Sequence, residues 1–132
     1  MTQGSPHAFH AAAVPFLEGL ARREVRYQAC TDCGHAQTLA RHACSRCGAT
    51  SLEWRRTSGR GTVYSRTEVM RAPSQAYRAL VPYTIVIVEL DEGPRLMGHA
   101  QPGLAIGDRV EAGFFEFEER TLLRFAAPGG DT

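Results

Sequence analysis

The sequence predicts a mainly β protein with three parts: an N-terminal helix, a short cysteine ribbon and a five-stranded closed barrel. Apolar residues recur at helical spacing near the start of the chain, which indicates an amphipathic helix. Two Cys-x-x-Cys-Gly units follow, and from Ser58 onward the pattern is typical of β-strands separated by Gly and Pro turns. At 132 residues and 43% hydrophobic content, the chain can form one small domain with an attached mini-domain.

Residues 1–24 form the predicted helical part, with the helix itself over residues 5–24. Ser5 and Pro6 suit its N-cap and first position. The apolar stripe consists of Phe9, Ala12, Ala13, Phe16, Leu17 and Leu20. Pro15 lies inside this pattern, so we expect the helix to be kinked there or to begin there. We predict that the stripe packs on the rest of the chain; a docking helix for a partner protein is the alternative.

Residues 25–54 form the predicted ribbon, with a strand at Val25 and Tyr27 leading in and a strand at Leu52 and Trp54 leading out. Its cysteines are Cys30, Cys33, Cys44 and Cys47. Two Cys-x-x-Cys pairs ten residues apart can place four thiolates at the corners of the tetrahedron that Zn²⁺ accepts. The glycine after each pair can take a positive φ, which aims backbone N–H groups at the sulfurs. We predict a structural Zn²⁺ held by these four cysteines.

Disulfide bonds are the alternative for four cysteines in a small chain. Residues 1–13 are polar and small rather than an apolar signal segment, and no stretch approaches the roughly 20 apolar residues of a membrane span. We therefore expect a cytoplasmic protein without membrane contact, where thiols suit a metal better than cystines. His35 and His42 lie near the cluster and are interpreted as exposed ribbon residues. The sequence does not decide between zinc and iron.

Residues 55–127 form the predicted barrel, and residues 128–132 a tail. The expected strands cover residues 62–69, 83–90, 95–100, 109–118 and 121–125. The second of these is almost continuously apolar, which predicts a central strand covered on both faces. Phe115 and Phe117 share strand parity and are assigned to the core, with Phe114 on the other face. Five strands in about seventy residues fit the Greek-key barrel called the OB-fold; an SH3-like barrel is the alternative.

Composition limits the chemistry that the chain can perform alone. It contains no Lys and no Asn, which excludes Schiff-base chemistry and a lysine general base. No nucleophile-elbow, metalloprotease or nucleotide-binding motif is present. His99 has no partner identifiable from the sequence, and Glu89, Asp91 and Glu92 are interpreted as a solvated hairpin turn. We therefore predict no catalytic residue in this chain.

A series of short motifs resembles one known family in order and spacing. The motifs are Pro15-Phe16-Leu17-Glu18-Gly19-Leu20, the two Cys-x-x-Cys-Gly units with Arg41 ahead of the second, Leu52-Glu53-Trp54, Ser58-Gly59-Arg60-Gly61-Thr62-Val63-Tyr64-Ser65, Pro82-Tyr83 and Val88-Glu89-Leu90-Asp91-Glu92-Gly93. From about Pro15 to Phe125, the chain is similar to the acyl-CoA-associated OB-fold proteins that carry a rubredoxin-like zinc ribbon, the DUF35 family. Ser45 departs from the family pattern, which often has Pro there, without disturbing the metal site.

The resemblance implies a helix, a ribbon and an OB-barrel in that order, and an accessory rather than a catalytic role. It implies a hetero-oligomer with a thiolase-superfamily enzyme, in which the small subunit helps to hold or channel an acyl-CoA thioester. The complex would be a thiolase, an acyltransferase or an aldolase. The acyl group, the reaction and the stoichiometry are not decided by the sequence.

The proline-bounded segment 71–82 is the candidate region for contact with acyl-CoA or with the partner enzyme. A loop of this length in a compact domain is either functional or unstructured. Arg can pair with CoA phosphates, and Tyr can lie against adenine or pantetheine. The candidate residues are Arg71, Tyr77, Arg78 and Tyr83. A mobile surface loop with solvated arginines is the alternative.

A module that binds single-stranded nucleic acid is the alternative function, because OB-folds and zinc ribbons both occur in such proteins. Up to Thr57 the chain has seven Arg against four acids, whereas the remainder has eight Arg against ten acids. The predicted barrel is therefore mildly acidic. Phe115 and Phe117 are assigned to its core, which leaves them unable to stack on bases. Because the basic footprint of a nucleic-acid binder is missing, we do not expect nucleic acid as a partner.

Overall fold

A short helix precedes the ribbon and the barrel in a computed structural model that describes residues 14–38 and 40–128. The helix, α1, covers residues 14–21; its predicted beginning over residues 5–13 lies outside the described residues. It ends three residues before the predicted end because Arg23 takes a left-handed φ of 61° and the N–H of Glu24 donates to the carbonyl of Gly19 at 2.9 Å. No helix in the described ranges is long and apolar enough to cross a membrane.

The ribbon is a three-stranded antiparallel sheet in the order β2-β1-β3. Its strands are β1 (Arg26–Cys30), β2 (Ala36–Gln37) and β3 (Leu52–Arg56). Part of its interior is polar, since Gln28 and Gln37 are only 4% and 6% exposed. Gln37 Nε2 donates to Gln28 Oε1 at 2.8 Å, and the same oxygen accepts the N–H of Arg41 at 3.1 Å. The two buried amides therefore satisfy each other and fix the segment between the cysteine pairs.

The barrel closes in the strand order β4-β5-β6-β8-β7, with β7 returning to β4. Its strands are β4 (Arg60–Val69), β5 (Tyr83–Leu90), β6 (Arg95–Ala100), β7 (Arg109–Phe117) and β8 (Arg120–Ala126). Its third and fifth strands, β6 and β8, pair in parallel, whereas the other neighbours are antiparallel. This Greek-key closure is that of an OB-fold, so the predicted fold class is confirmed and the SH3-like alternative is excluded.

The barrel core is built from alternate residues of the five strands. Its most deeply buried side chains are Val63, Val86, Val88, Leu90, Val110 and Phe125. Because Val110 faces inward, Ala112 and Phe114 do too, and both pack against this core. Phe115 and Phe117 therefore lie on the outside of the barrel. Their assignment to the core was wrong, since the run of phenylalanines in β7 is apolar on both faces and periodicity alone did not choose between them.

The outward side chains of β5 and β6 form a surface that we call the outer β5–β6 face. It consists of Tyr83, Ile85, Ile87, Met97 and His99. The inward residues of β5 are buried, but its outward residues are only half-buried. The prediction that β5 is covered on both faces is thus correct for the inward face and only partly correct for the outward face. Apolar surface of the outward face stays accessible to solvent.

Ribbon and barrel are joined by a rigid junction around Thr57. Its hydroxyl, in a residue only 5% exposed, donates to Glu92 Oε1 at 2.5 Å, and the N–H of Ser58 donates to Glu92 Oε2 at 2.8 Å. Burial opposes ionisation of Glu92, but these hydrogen bonds outweigh it and lower the pKa of the carboxyl. The acids at this turn are not simply solvated, as the sequence suggested, because Asp91 also accepts a bidentate pair of hydrogen bonds from Arg109 at 2.8 and 2.9 Å.

The helix is fixed to both of the other parts. Phe16 packs against the barrel core, which is the packing that we predicted for the apolar stripe. Arg26 of β1 lies along Gly19, where a Cβ would come within 2.9 Å of its side chain, and its Nη1 donates to the carbonyl of Pro15 at 3.0 Å. The start of the ribbon therefore holds α1 against the barrel.

Candidate metal centre and ligand-binding face

The four cysteines converge at one end of the ribbon. Their Sγ atoms all lie within 4.8 Å of one another. The Sγ atoms of Cys30 and Cys47 are 3.7 Å apart, as are those of Cys33 and Cys44. A tetrahedral zinc with Zn–S bonds of about 2.3 Å places its sulfurs about 3.8 Å apart. The cluster therefore fits a zinc ion, and its four thiols are free rather than joined in disulfides.

Local hydrogen bonds shape each half of the centre. The N–H of Gly34 donates to the carbonyl of Cys30, and the N–H of Gly48 donates to the carbonyl of Cys44, both at 2.9 Å. Both glycines take φ near 80°, and a Cβ there would meet open space, so the backbone angle alone accounts for glycine. The N–H of Arg46 reaches the Sγ of Cys44 at 3.3 Å, which is the predicted N–H···S arrangement.

As free thiols, Cys44 and Cys47 do not ionise together. The backbone N–H of Cys47 is the main cause that lowers the pKa of Cys44 to about 6. The backbone N–H of Ala49 lowers the pKa of Cys47, but burial and the three neighbouring thiols together raise it to about 12. A divalent cation supplies the positive charge that four adjacent thiolates need.

The predicted contact region, residues 71–82, is called the strap here. It contains a 3₁₀ helix, Gln75–Ala79, none of whose residues is buried. The ring of Tyr77 holds it to the barrel, with centroid distances of 5.8 Å to Tyr83, 6.2 Å to His99 and 5.2 Å to Phe117. Of the four predicted contact residues, the structure thus brings Tyr77 and Tyr83 together. Arg71 and Arg78 are exposed and form no salt bridge with any described residue.

His99 is the centre of this aromatic cluster. Its ring lies 5.1 Å from Tyr83 and meets Phe115 edge-on at 5.3 Å. Arg124 covers the ring of Phe115 at 5.0 Å. Burial, and then the charge of Arg124, lower the pKa of His99, so the imidazole is neutral near pH 7. In the cluster its ring packs on Tyr77, Tyr83 and Phe115.

An apolar pocket of about 610 Å³ opens beside the cluster. It lies where β6 and β8 pair only through His99 with Arg124 and Ala100 with Phe125, so the barrel wall is unpaired beyond them. Helix, ribbon and barrel all contribute to its lining: Phe16, Leu20, Thr38, Ala40, Tyr64, Ile87, Arg95, Leu96, Met97, Gly98, His99, Leu122 and Leu123. A Cβ on Gly98 would come within 3.1 to 3.2 Å of the side chains of Phe125 and Leu123. Glycine at this position therefore lets β6 lie close to these two core side chains.

A second, polar cleft of about 390 Å³ lies between the ribbon and the hairpin of β5 and β6. We call it the ribbon–barrel cleft. Its lining consists of His35, Ala36, Gln37, Thr38, Arg41, Ser45, Glu89, Gly93, Pro94 and Arg95. Thr38 and Arg95 belong to both the cleft and the apolar pocket. The Thr38 hydroxyl donates to the carbonyl of Arg95, which ties the ribbon to the barrel at their shared boundary.

The two parts of the chain match two domain families. Residues 17–53 match the family described as ChsH2, rubredoxin-like zinc ribbon domain, and residues 54–115 match ChsH2, C-terminal OB-fold domain. The DUF35 domain-containing scaffold protein of Methanocaldococcus jannaschii is 36% identical over 95 residues, which cover 68% of this chain and 67% of that protein. The chain belongs to the DUF35 family. The four clustered cysteines and the zinc-ribbon match together support a structural zinc.

Two further relatives of this DUF35 protein are parts of enzymes. The 3-oxo-4,17-pregnadiene-20-carboxyl-CoA hydratase alpha subunit of Mycobacterium tuberculosis is 43% identical over 70 residues, which are half of this chain but only 22% of that protein. The solved structure named Ltp2-ChsH2(DUF35) aldolase superposes with a TM-score of 0.76 at 27% identity. The match covers 88% of this chain and 94% of that one.

Neither pocket was predicted from the sequence, and none of the four candidate contact residues lines either of them. The usable signal was the outward parity of Ile87 in β5, which places a large apolar side chain on the outer face of the barrel. The contributions of Phe16 and Thr38 had no such signal. They depend on how helix and ribbon dock on the barrel, which is a matter of tertiary structure.

Proposed function

We propose that this DUF35 protein is a non-catalytic accessory subunit that binds a thiolase-type enzyme and holds its acyl-CoA thioester. The observation that carries the proposal is the apolar pocket on the outer face of the OB-barrel, the side on which OB-folds bind their ligands. A pocket of this size suits the apolar part of a small ligand. The relatives named as a CoA hydratase subunit and an aldolase assembly support a partner enzyme, and the thiolase type is part of the proposal.

In this proposal the metal has a structural role. Cys30, Cys33, Cys44 and Cys47 are the proposed zinc ligands, and since all four positions are filled by protein, none is open for substrate or water. The ion would hold together a ribbon whose interior is partly made of amides. We therefore assign no catalytic step to it.

The strap is the proposed contact with the partner enzyme. The contact between Tyr77 and Tyr83 anchors it to the barrel. The exposed Arg71 and Arg78 form no salt bridge with any described acid. Arginines presented in this way suit an acidic surface on another protein, where they gain bidentate partners. In the assembled complex, replacing both arginines by alanine should weaken assembly, measured by size-exclusion chromatography.

One observation favours the alternative, a module that binds single-stranded nucleic acid. Phe115 and Phe117 lie outside the barrel, contrary to our expectation, and aromatic side chains on an OB-fold can stack on bases. Their rings, however, pack on Tyr77 and His99 rather than standing free. Binding of a labelled single strand at low salt decides the matter, and strong, salt-sensitive retention would favour the alternative.

The proposal is tested on the complex with a thiolase-superfamily enzyme from the same source. Met97 is 62% exposed in the pocket lining, and Ile106 is 65% exposed outside it. Met97→Glu should weaken acyl-CoA binding about tenfold by calorimetry, because it buries a charge against the acyl chain, whereas Ile106→Glu should leave it unchanged. Absence of both a stable complex and acyl-CoA affinity in the wild-type protein would refute the proposed function.

A further inference from the structure

The ribbon–barrel cleft is a polar continuation of the apolar pocket. The two share Thr38 and Arg95, so they adjoin at this end. The other end of the pocket is His99, four residues along β6 from Arg95. At a rise of about 3.4 Å per residue, the apolar stretch between them is about 14 Å long. The surface therefore has an apolar middle and a polar end at the ribbon.

The polar end carries a net positive charge. Arg41 and Arg95 line the cleft, and neither forms a salt bridge with a described residue. Glu89 is the one acid in the lining, and it stands opposite Arg95 in the β5–β6 register. Two arginines and one glutamate give the lining two positive charges against one negative charge. Such a cleft attracts an anion.

The contacts of the two arginines involve the ring of Tyr64 for Arg95 and the backbone for Arg41. The guanidinium carbon of Arg95 lies 3.7 Å from the centroid of the Tyr64 ring, which lines the apolar pocket. The charge of Arg95 therefore lies where pocket and cleft adjoin, with one flat face on the ring and its N–H edge left for a ligand. The backbone of Arg41 is fixed on both sides by Gln28, whose Nε2 donates to the Arg41 carbonyl at 3.0 Å. His35 is held through its Nε2, 3.2 Å from the hydroxyl of Ser45. Phosphate oxygens suit such N–H edges.

We infer that the ribbon–barrel cleft binds the phosphate groups of the thioester, with Arg41 and Arg95 as their ligands. This inference rests on the proposed function and gives the ligand a direction. The phosphates lie at the ribbon, the apolar arm runs along β6, and the acyl end lies near His99 and the strap. The reverse direction would place the phosphates beyond the aromatic cluster at Arg71 and Arg78, which line neither cavity.

Calorimetry on the complex with the thiolase-type enzyme tests this direction with two probes, an acyl-CoA and the matching S-acyl-pantetheine, which lacks the phosphates. Arg41→Ala and Arg95→Ala should each weaken acyl-CoA binding about tenfold and leave S-acyl-pantetheine binding unchanged. Arg120→Ala removes an exposed arginine outside both cavities and should change neither affinity. Arg95→Lys keeps the charge but loses the planar fork, and should show an intermediate loss.

Two results separate the inference from the proposal beneath it. If the wild-type complex binds acyl-CoA but the phosphate-dependent loss appears in Arg71→Ala and Arg78→Ala instead, the direction is reversed and the inference is overturned. If the wild-type complex binds neither probe, the proposed function itself fails. Zinc content and melting temperature equal to wild type establish that each variant is folded, and Arg41→Ala alone decides the question if Arg95→Ala does not fold.

Discussion

Replacing Gln37 by leucine should weaken zinc binding without touching a cysteine. Gln37 is nearly completely buried in the ribbon and makes three hydrogen bonds through its amide. Its Nε2 donates to Gln28 Oε1 at 2.8 Å, and its Oε1 accepts from the N–H and the hydroxyl of Ser45 at 3.0 and 3.1 Å. Leucine has a similar size but can make none of these bonds. Since Ser45 directly follows Cys44, the loss loosens the second cysteine pair.

The magnitude follows from the number of bonds. Each neutral hydrogen bond contributes about 1 kcal/mol net, so three of them contribute about 3 kcal/mol. Water can reach the exposed Ser45 and restore part of this, and leucine gains some burial energy, which leaves a loss of about 2 kcal/mol. Because zinc binding and ribbon folding are coupled, that energy appears in the apparent affinity as a loss of about 30-fold.

Competition with a chromophoric chelator measures this apparent zinc affinity directly. The matched control is Gln75→Leu, the same chemical change at an exposed position of the strap, which should leave zinc affinity unchanged. A Gln37→Leu protein that binds zinc within about threefold of wild type would refute the reasoning, because less than about 0.7 kcal/mol would then come from the amide network.

Three further outcomes are expected. Cys33→Ser should lower the zinc content from one ion per chain to a small fraction by elemental analysis, because the tetrahedral set is broken; a fully loaded variant would contradict the ligand assignment. At pH values above 4.5, the ordinary pKa of glutamate, Glu92→Gln should lower the free energy of unfolding. Because the pKa of Glu92 is lowered in the folded protein, the difference in free energy of unfolding between wild type and variant must shrink as the pH falls through that folded-state pKa. Urea denaturation at several pH values measures it, and a difference independent of pH would argue against a stabilising charged Glu92. Gly61→Ala should lower the free energy of unfolding by about 2 kcal/mol or more, since its Cβ would lie 2.6 Å from Val88 Cγ1 and closer still to the Glu89 carbonyl. Gly113→Ala, with its nearest neighbour at an ordinary 3.4 Å, should cost less.

Local patterns were sufficient to predict the barrel strands and the metal cluster. The predicted strands over residues 83–90 and 95–100 coincide with β5 and β6. The first is a β-branched run, and the turn residues Asp91-Glu92-Gly93-Pro94 make the second its hairpin partner. The cysteine spacing likewise determined the convergence of four sulfurs, since each knuckle is closed by hydrogen bonds within a few residues of chain. Both features depend on interactions that are short in sequence.

The features that the sequence did not predict depend on long-range contacts. The parity of Phe115 is decided by the register of β7 against β8, in which Phe115 lies opposite Leu122. The role of Glu92 depends on Thr57, 35 residues away. The pocket requires Phe16 of the helix, Thr38 of the ribbon and Leu122 of the last strand to meet. No periodicity within one segment encodes such a meeting.

The docking of α1 also determines an order of assembly during synthesis. Leu123 and Phe125 of the core against which Phe16 packs emerge about a hundred residues after it. The ribbon needs only its own residues and a metal ion, so it can fold while the barrel is still being translated. Until β8 closes the barrel, Phe16 and Leu20 have no completed surface to cover. The apolar stripe of α1 is therefore exposed during translation until β8 has been made and the helix can dock.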